Sequence, residues 1–164
     1  NTAETVGQTP GGETISRAVS GVTRRGWELE LSGELARGWQ LQGGFVMNSS
    51  TLNSSSTTPK YQFKLGTTYQ FRDSALQGLT VGAATRWQSD ISTSRGATTL
   101  RQDAYTLLDA SLAWVPNHSI EVTAYINNLT DRRYRTYAFS GGTLGNFAQI
   151  GTGRTAGVTV AYQY

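Results

Sequence analysis

Residues 26–35 read GWELELSGEL. Trp27, Leu29, Leu31 and Leu35 alternate with Glu28, Glu30, Ser32 and Glu34, the period of two that sends successive side chains to opposite faces of a strand. One face of this strand is apolar and the other is charged. In a soluble sandwich the charged face lies outside and the apolar row meets a second sheet. In a membrane barrel the apolar row meets lipid and the charged row lines a wet lumen. Which face meets water decides the fold.

The same alternation recurs along the chain. Trp39, Leu41, Phe45 and Met47 are set against Gln40, Gln42 and Gly44. Tyr61, Phe63, Leu65, Tyr69 and Phe71 are set against Gln62, Lys64, Gly66, Thr68 and Gln70. Leu79, Val81, Ala83 and Trp87 oppose Thr80, Gly82, Ala84, Arg86 and Gln88. Leu108, Ala110, Leu112 and Trp114 oppose Asp109, Ser111 and Ala113. Ile120, Val122, Ala124 and Ile126 oppose Glu121, Thr123, Tyr125 and Asn127, and Val158, Val160, Tyr162 and Tyr164 oppose Thr159, Ala161 and Gln163. Seven long strands follow, with no helical period among them. Residues 13–25 extend the first strand upward, and ETISRAV, within residues 3–20, is a candidate eighth.

Two regularities favour the membrane. Connections alternate short (ARG, RDSALQG, PNHS) and long, as tight periplasmic turns and long outer loops do in outer-membrane barrels. Aromatic residues sit at strand ends (Trp27, Trp39, Tyr61, Phe71, Trp87, Trp114, Tyr162, Tyr164) and aliphatic ones in strand middles, the arrangement of interfacial girdles. A sandwich explains the alternation but not ring-ended strands well beyond the usual ~5–6 residues. The glutamates of GWELELSGEL therefore face a wet lumen, because a mid-strand charge on the lipid side costs a few kcal/mol.

Composition agrees. Hydrophobic residues make up 37% of the 164, low for a packed globule, yet 4 Trp, 8 Tyr and 5 Phe exclude a disordered chain. Cysteine is absent, which removes disulfides and thiolate metal sites. The net charge of +3 comes from scattered rather than blocked bases, so nucleic acid is not an expected partner. No run of about 18 apolar residues offers a membrane helix, which does not bear on a barrel. The start at Asn1, with no Met or apolar leader, reads as a mature or trimmed end.

Several stretches resemble the C-terminal barrel strands of TonB-dependent outer-membrane receptors, in the ferric-siderophore branch. INNLTDRRY at 126–134 resembles the family signature N-N-L-x-D-[KR]-x-Y. RRGWELELSGELARGWQLQGGF at 24–45 resembles a family strand pair, and TPKYQFKLGTTYQF, GLTVGAATRWQSDI and RQDAYTLLDASLAW follow in the family's order. Trp27 stands where the family usually has valine, and the chain ends AYQY where Arg-Phe or a similar pair is common. The terminal Tyr164 resembles the family's barrel-assembly signal. The resemblance implies energy-coupled uptake of a ferric siderophore.

The expected fold is all-β: an antiparallel transmembrane β-barrel of seven to eight strands, either a small closed barrel or a contiguous piece of a 22-strand barrel. Residues 1–164 read as a single barrel unit without a plug domain. If residues 3–20 pair with strand 158–164 the barrel closes on itself, and a structural or adhesive role without transport replaces uptake. A carbohydrate-binding soluble sandwich is the remaining rival.

The expected location is the outer membrane of a Gram-negative bacterium. Expected partners are outer-membrane lipid and lipopolysaccharide, the barrel-assembly machinery, a ferric siderophore, and TonB through segments outside this chain. No cofactor and no metal site are expected.

Expected lumen-facing residues are Glu28, Glu30, Glu34, Lys64 and Gln70, the glutamates pairing with Arg86 or Lys64 on neighbouring strands. Arg86, Trp87, Tyr137, Phe139 and Phe147 offer cationic and aromatic surface to an iron chelate on the upper wall and loops. Asp131, Arg132, Arg133 and Arg135 are expected to tie loop ends together through bidentate pairs, with lipopolysaccharide phosphate as the lesser reading. His118, the single histidine, reads as solvated turn surface. No serine lies in a G-x-S-x-G elbow and GGTLGNF precedes no helix, so no catalytic set or phosphate loop is expected.

Overall fold

A computed structural model describes residues 2–19, 23–50, 58–73, 75–95, 98–140 and 145–163. Thirteen strands run in chain order: β1 (Thr2–Gln8), β2 (Thr14–Val19), β3 (Arg24–Ala36), β4 (Trp39–Ser50), β5 (Tyr61–Gln70), β6 (Leu79–Gln88), β7 (Ile91–Arg95), β8 (Thr98–Gln102), β9 (Tyr105–Asn117), β10 (Ile120–Asn127), β11 (Arg135–Ser140), β12 (Asn146–Ile150) and β13 (Thr155–Tyr162). The described residues contain no helix.

Seven of the strands form one antiparallel sheet in the order β13-β10-β9-β6-β5-β4-β3, and each of the seven alternating series found in the sequence is one of its strands. Three further hairpins stand apart: β1–β2, β7–β8 and β11–β12. The expected eighth strand is one of these. Residues 2–19 fold back on themselves, Glu4 opposite Arg17 and Gln8 opposite Thr14. They do not extend β3, and among the described residues they make no pairing with β13. Outer strands β3 and β13 therefore have one neighbour each among the described residues.

The register sorts most of the side chains across the middle of the sheet into apolar and polar rows. Leu29 lies opposite Phe45, Phe45 opposite Phe63, and Phe63 opposite Trp87. Lower down, Tyr69, Val81, Leu112, Ala124 and Val158 form a second continuous row. On the other face the rows are polar: Glu30, Gly44, Lys64 and Arg86 in one, Gln70, Thr80, Ala113, Thr123 and Thr159 in another.

The apolar face is bare. Leu29 is 64% exposed and Val160 66%, and among the described residues the buried hydrophobic ones are Ile91 and Leu107. The surface is 11,941 Å², against roughly 8,000 Å² expected of a compact globule of this mass. Among the described residues no second sheet packs on the apolar rows, the layer a sandwich requires. Aromatic residues mark both borders of the apolar band, Tyr61 and Trp87 toward one end, Tyr69 and Trp114 toward the other. The steps from Tyr61 to Tyr69 reach about 26 Å at ~3.3 Å per residue, the order of the ~25 Å lipid-facing band of such barrels.

The tight turns are built for one end. In the β3–β4 turn Gly38 has φ 79°, a left-handed value that a side chain resists, and a Cβ there would lie 2.5 Å from the Gln70 carbonyl oxygen. The Gln70 amide donates to the Gly38 carbonyl (2.8 Å) and the Gly38 amide to Glu34 Oε1 (2.8 Å), so turn and neighbouring strand are sewn together. In the β9–β10 turn Asn117 Oδ1 accepts from the amides of Ser119 and Ile120, both at 3.0 Å, an Asx arrangement. Every long connection, residues 51–60, 89–104 and 128–154, leaves from the opposite end.

Candidate functional site: the polar wall and its loop rim

Glu28, Glu30, Glu34, Lys64 and Gln70 all fall on the polar face, as the period of two requires, together with Arg86. They divide into two groups. Glu34 and Gln70 sit at the tight-turn end, where Glu34 holds the Gly38 amide and Gln70 Oε1 accepts from Arg72 Nε at 3.1 Å. Glu30, Lys64 and Arg86 share a row higher up and border, with Ser32 and Gln42, an open depression of about 470 Å³.

Lys64 and Arg86 are directly opposed on adjacent strands, a like-charge placement that costs energy unless balanced. Balance comes from β9. Arg86 Nη2 lies 3.0 Å from Asp109 Oδ2, so Arg86 pairs with an aspartate rather than with the glutamates expected from the sequence. Glu30 and Asp109 thus stand beside Lys64 and Arg86 with two charges of each sign.

The other chelate-contact candidates are distributed differently. Trp87 follows Arg86 by one residue and so faces the opposite way, in line with Phe63 on the apolar face. Its ring therefore lies on the other face of the sheet from the Arg86 side chain, and the two do not form one contact surface. Phe147 lies on β12, 45% exposed, with Phe139 as its partner on β11. Tyr137 is paired with Gln149; for Tyr137 and Phe139 only the main chain is described. Tyr164 lies outside the described residues.

The INNLTDRRY stretch forms a knot at the rim. Asn128, only 3% exposed, has φ 51°, a left-handed conformation that asparagine tolerates better than most residues. Its Nδ2 donates to the carbonyls of Arg132 (2.9 Å) and Thr152 (3.2 Å), and its Oδ1 accepts from the Arg132 amide (2.8 Å). The Asn128 amide itself donates to Asp109 Oδ1 at 2.8 Å.

Asp131 does tie loop ends together, but through the Arg154 main-chain amide, which donates to its Oδ1 at 3.0 Å, rather than through a bidentate arginine. Tyr134 packs its ring on Gly151 and lies 4.6 Å, centroid to centroid, from Tyr105; any Cβ at Gly151 would enter that ring. The Arg135 amide reaches Gln102 Oε1 at 2.8 Å and so links the 128–154 segment to the end of β8.

Two members of this rim, Asp109 and Gln102, carry no role in the sequence reading. The signal for Asp109 was a carboxylate in the middle of a strand whose same-face neighbours are Ser111 and Ala113. His118 is an exposed turn residue. Among the described residues no three of His, Cys, Asp and Glu gather as a metal-binding set.

Comparison with known proteins follows these features closely. Residues 1–129 match the family model described as TonB dependent receptor-like, beta-barrel. The ferric-pyoverdine 358 receptor of Pseudomonas putida is 29% identical over 160 residues, covering 94% of this chain and 19% of the receptor. The ferripyoverdine receptor of Pseudomonas aeruginosa is 32% identical over 140 residues, 77% of this chain and 17% of the receptor. The solved structure of P. aeruginosa FpvA bound to a heterologous ferric pyoverdine superposes with a TM-score of 0.80 at 27% identity, over 99% of this chain and 23% of that one. The chain thus spans about a fifth of the length of the curated relatives it matches. With a two-faced meander, outer loops on one end and a family model covering most of its length, the chain belongs to the TonB-dependent receptor β-barrel family.

Proposed function

We propose that this chain forms part of the wall of an outer-membrane barrel that takes up a ferric siderophore in a TonB-coupled step. The observation that carries the reading is the superposition of nearly the whole chain on a ferripyoverdine receptor. Residues 1–164 serve as barrel wall, and the unpaired margins of β3 and β13 are completed by further strands, because a bilayer leaves no water to satisfy open edge groups.

Lipid meets the Leu, Val and Trp rows, and lipopolysaccharide meets the loop-end girdle. TonB acts through segments outside these residues. The ferric chelate is captured at the loop end by Arg86 on the wall and by the aromatic residues Tyr137, Phe139 and Phe147 on the β11–β12 hairpin.

The test uses the complete protein in outer-membrane vesicles and in iron-starved cells. Saturable binding of radiolabelled ferripyoverdine, with accumulation abolished when TonB is deleted, is the expected result. Binding of no ferric chelate, or accumulation indifferent to TonB, overturns the reading.

A further inference from the structure

Asp109 spends its two carboxylate oxygens on two different parts of the molecule. Oδ2 holds the Arg86 guanidinium at 3.0 Å and Oδ1 accepts the Asn128 amide at 2.8 Å. The Asp109 side chain is 19% exposed, while that of Arg86 is 58% exposed. A fixed carboxylate therefore orients a cation that reaches into the lumen.

Asn128 in turn is the first residue of the long segment that carries β11–β12. Its side chain closes that segment on itself by bonding to Arg132 and, 24 residues on, to Thr152. The neighbouring Leu129 amide donates to the Leu108 carbonyl at 2.7 Å, so the base of the segment is docked on β9 at consecutive residues.

We propose that Asp109 is a positioning residue that joins two parts of the chelate site: it aims Arg86 into the lumen and moors the 128–154 segment to the wall. The inference rests on the uptake reading for its ligand arm and on geometry alone for its mooring arm. The two oxygens make the arms separable. Asp109→Asn keeps a carbonyl oxygen for the Asn128 amide and turns a neutral amide toward Arg86. Asp109→Ala removes both contacts.

The segment carries its own reporter, since Arg132, Arg133, Arg135 and Arg154 are trypsin sites on its two limbs. The experiment uses the complete protein in outer-membrane vesicles, with heat-modifiable migration confirming a folded barrel. It measures the rate of tryptic cleavage within 128–154 without ligand, and the affinity for ferripyoverdine.

Asp109→Ala is expected to raise cleavage about tenfold, while Asp109→Asn and Arg86→Gln stay within about twofold of the parent. Asp109→Asn and Arg86→Gln are each expected to weaken ferripyoverdine binding about tenfold, and the double variant no further, as residues acting through one contact do. Unchanged cleavage in Asp109→Ala overturns the mooring. Unchanged or tighter binding in Asp109→Asn, or additive losses in the double variant, overturns the positioning of Arg86. If the parent protein binds no ferripyoverdine, the uptake reading fails, and the cleavage arm still decides the mooring.

Discussion

The wall and the loop rim of this molecule are held together by different forces. In the wall, strands of 8–13 residues are joined by ladder hydrogen bonds, and among the described residues no second layer covers the large apolar side chains. At the rim the order is reversed. There the protein buries its own groups, Leu107 at 4% exposure and Asn128 at 3%, and side chains hold main-chain amides and carbonyls directly. The wall leaves its apolar face open; the rim makes its own interior.

The contrast shows in how each region treats a polar group on its outward face. Thr67 falls on the apolar face, where an unpaired hydroxyl is costly. Its Oγ1 donates to the Gln40 carbonyl (3.0 Å) and accepts from Trp39 Nε1 (2.7 Å), so it is satisfied within the sheet. At the tight-turn end, where water is at hand, Arg37 and Asp73 meet at 3.3 Å with 74% and 70% of their side chains exposed.

The largest expected effect lies in the wall. Leu112→Arg, in mid-strand on the apolar face, costs about 2–4 kcal/mol of barrel stability. Thr123→Arg, on the polar face of the adjacent β10, costs under about 1 kcal/mol. Transfer-equilibrium unfolding into lipid vesicles measures both, and equal penalties would erase the distinction between the faces.

Next comes the rim. Asn128→Ala removes three hydrogen bonds from a buried left-handed residue and is expected to cost about 2–3 kcal/mol. The loss should be local, seen as faster hydrogen exchange in residues 128–134 with wall amides unchanged. A uniform loss of protection would mean that the rim is part of the wall's cooperative unit.

Gly151→Ala is smaller, about 1–3 kcal/mol from overpacking against Tyr134, read by the same exchange experiment with Tyr134→Ala as the relieving second change. Smallest is Arg37→Gln with Asp73→Asn, expected within about 0.5 kcal/mol because exposed pairs contribute little. A larger effect at that turn would show that the tight-turn end also has an organised interior.

The seven wall strands were legible because each has an apolar face, and period-two alternation survives wherever one face meets something other than water. The hairpins β7–β8 and β11–β12 were not. STSRGATTLRQ carries no such alternation, and in RTYAFS it is confined to Tyr137 and Phe139, too short a run to mark a strand or write its register. Residues 2–19 misled for a related reason: ETISRAV has strand character, but nothing local says that its partner is Thr2–Gln8.

The site was half legible. Period two put Arg86 on the polar face of the sheet and, applied with equal strictness, puts Trp87 on the apolar one. INNLTDRRY was visible as a motif. That Asn128 would bond to Asp109, 19 residues upstream across a turn, was not visible, because such a contact depends on the register of β9 against β10.

The central claim is that lipid touches the Leu/Val/Trp rows and water the Glu/Gln/Thr rows. The chain has no cysteine, so single cysteines at consecutive positions can be labelled with an environment-sensitive fluorophore in the membrane-embedded protein. Labels at Leu29, Leu65, Leu112 and Val160 are predicted to be quenched by a lipid-chain quencher and spared by iodide, and labels at Glu30, Lys64, Thr123 and Thr159 to show the opposite. Apolar-row labels that escape the lipid quencher, alongside polar-row labels that meet it, would contradict the account.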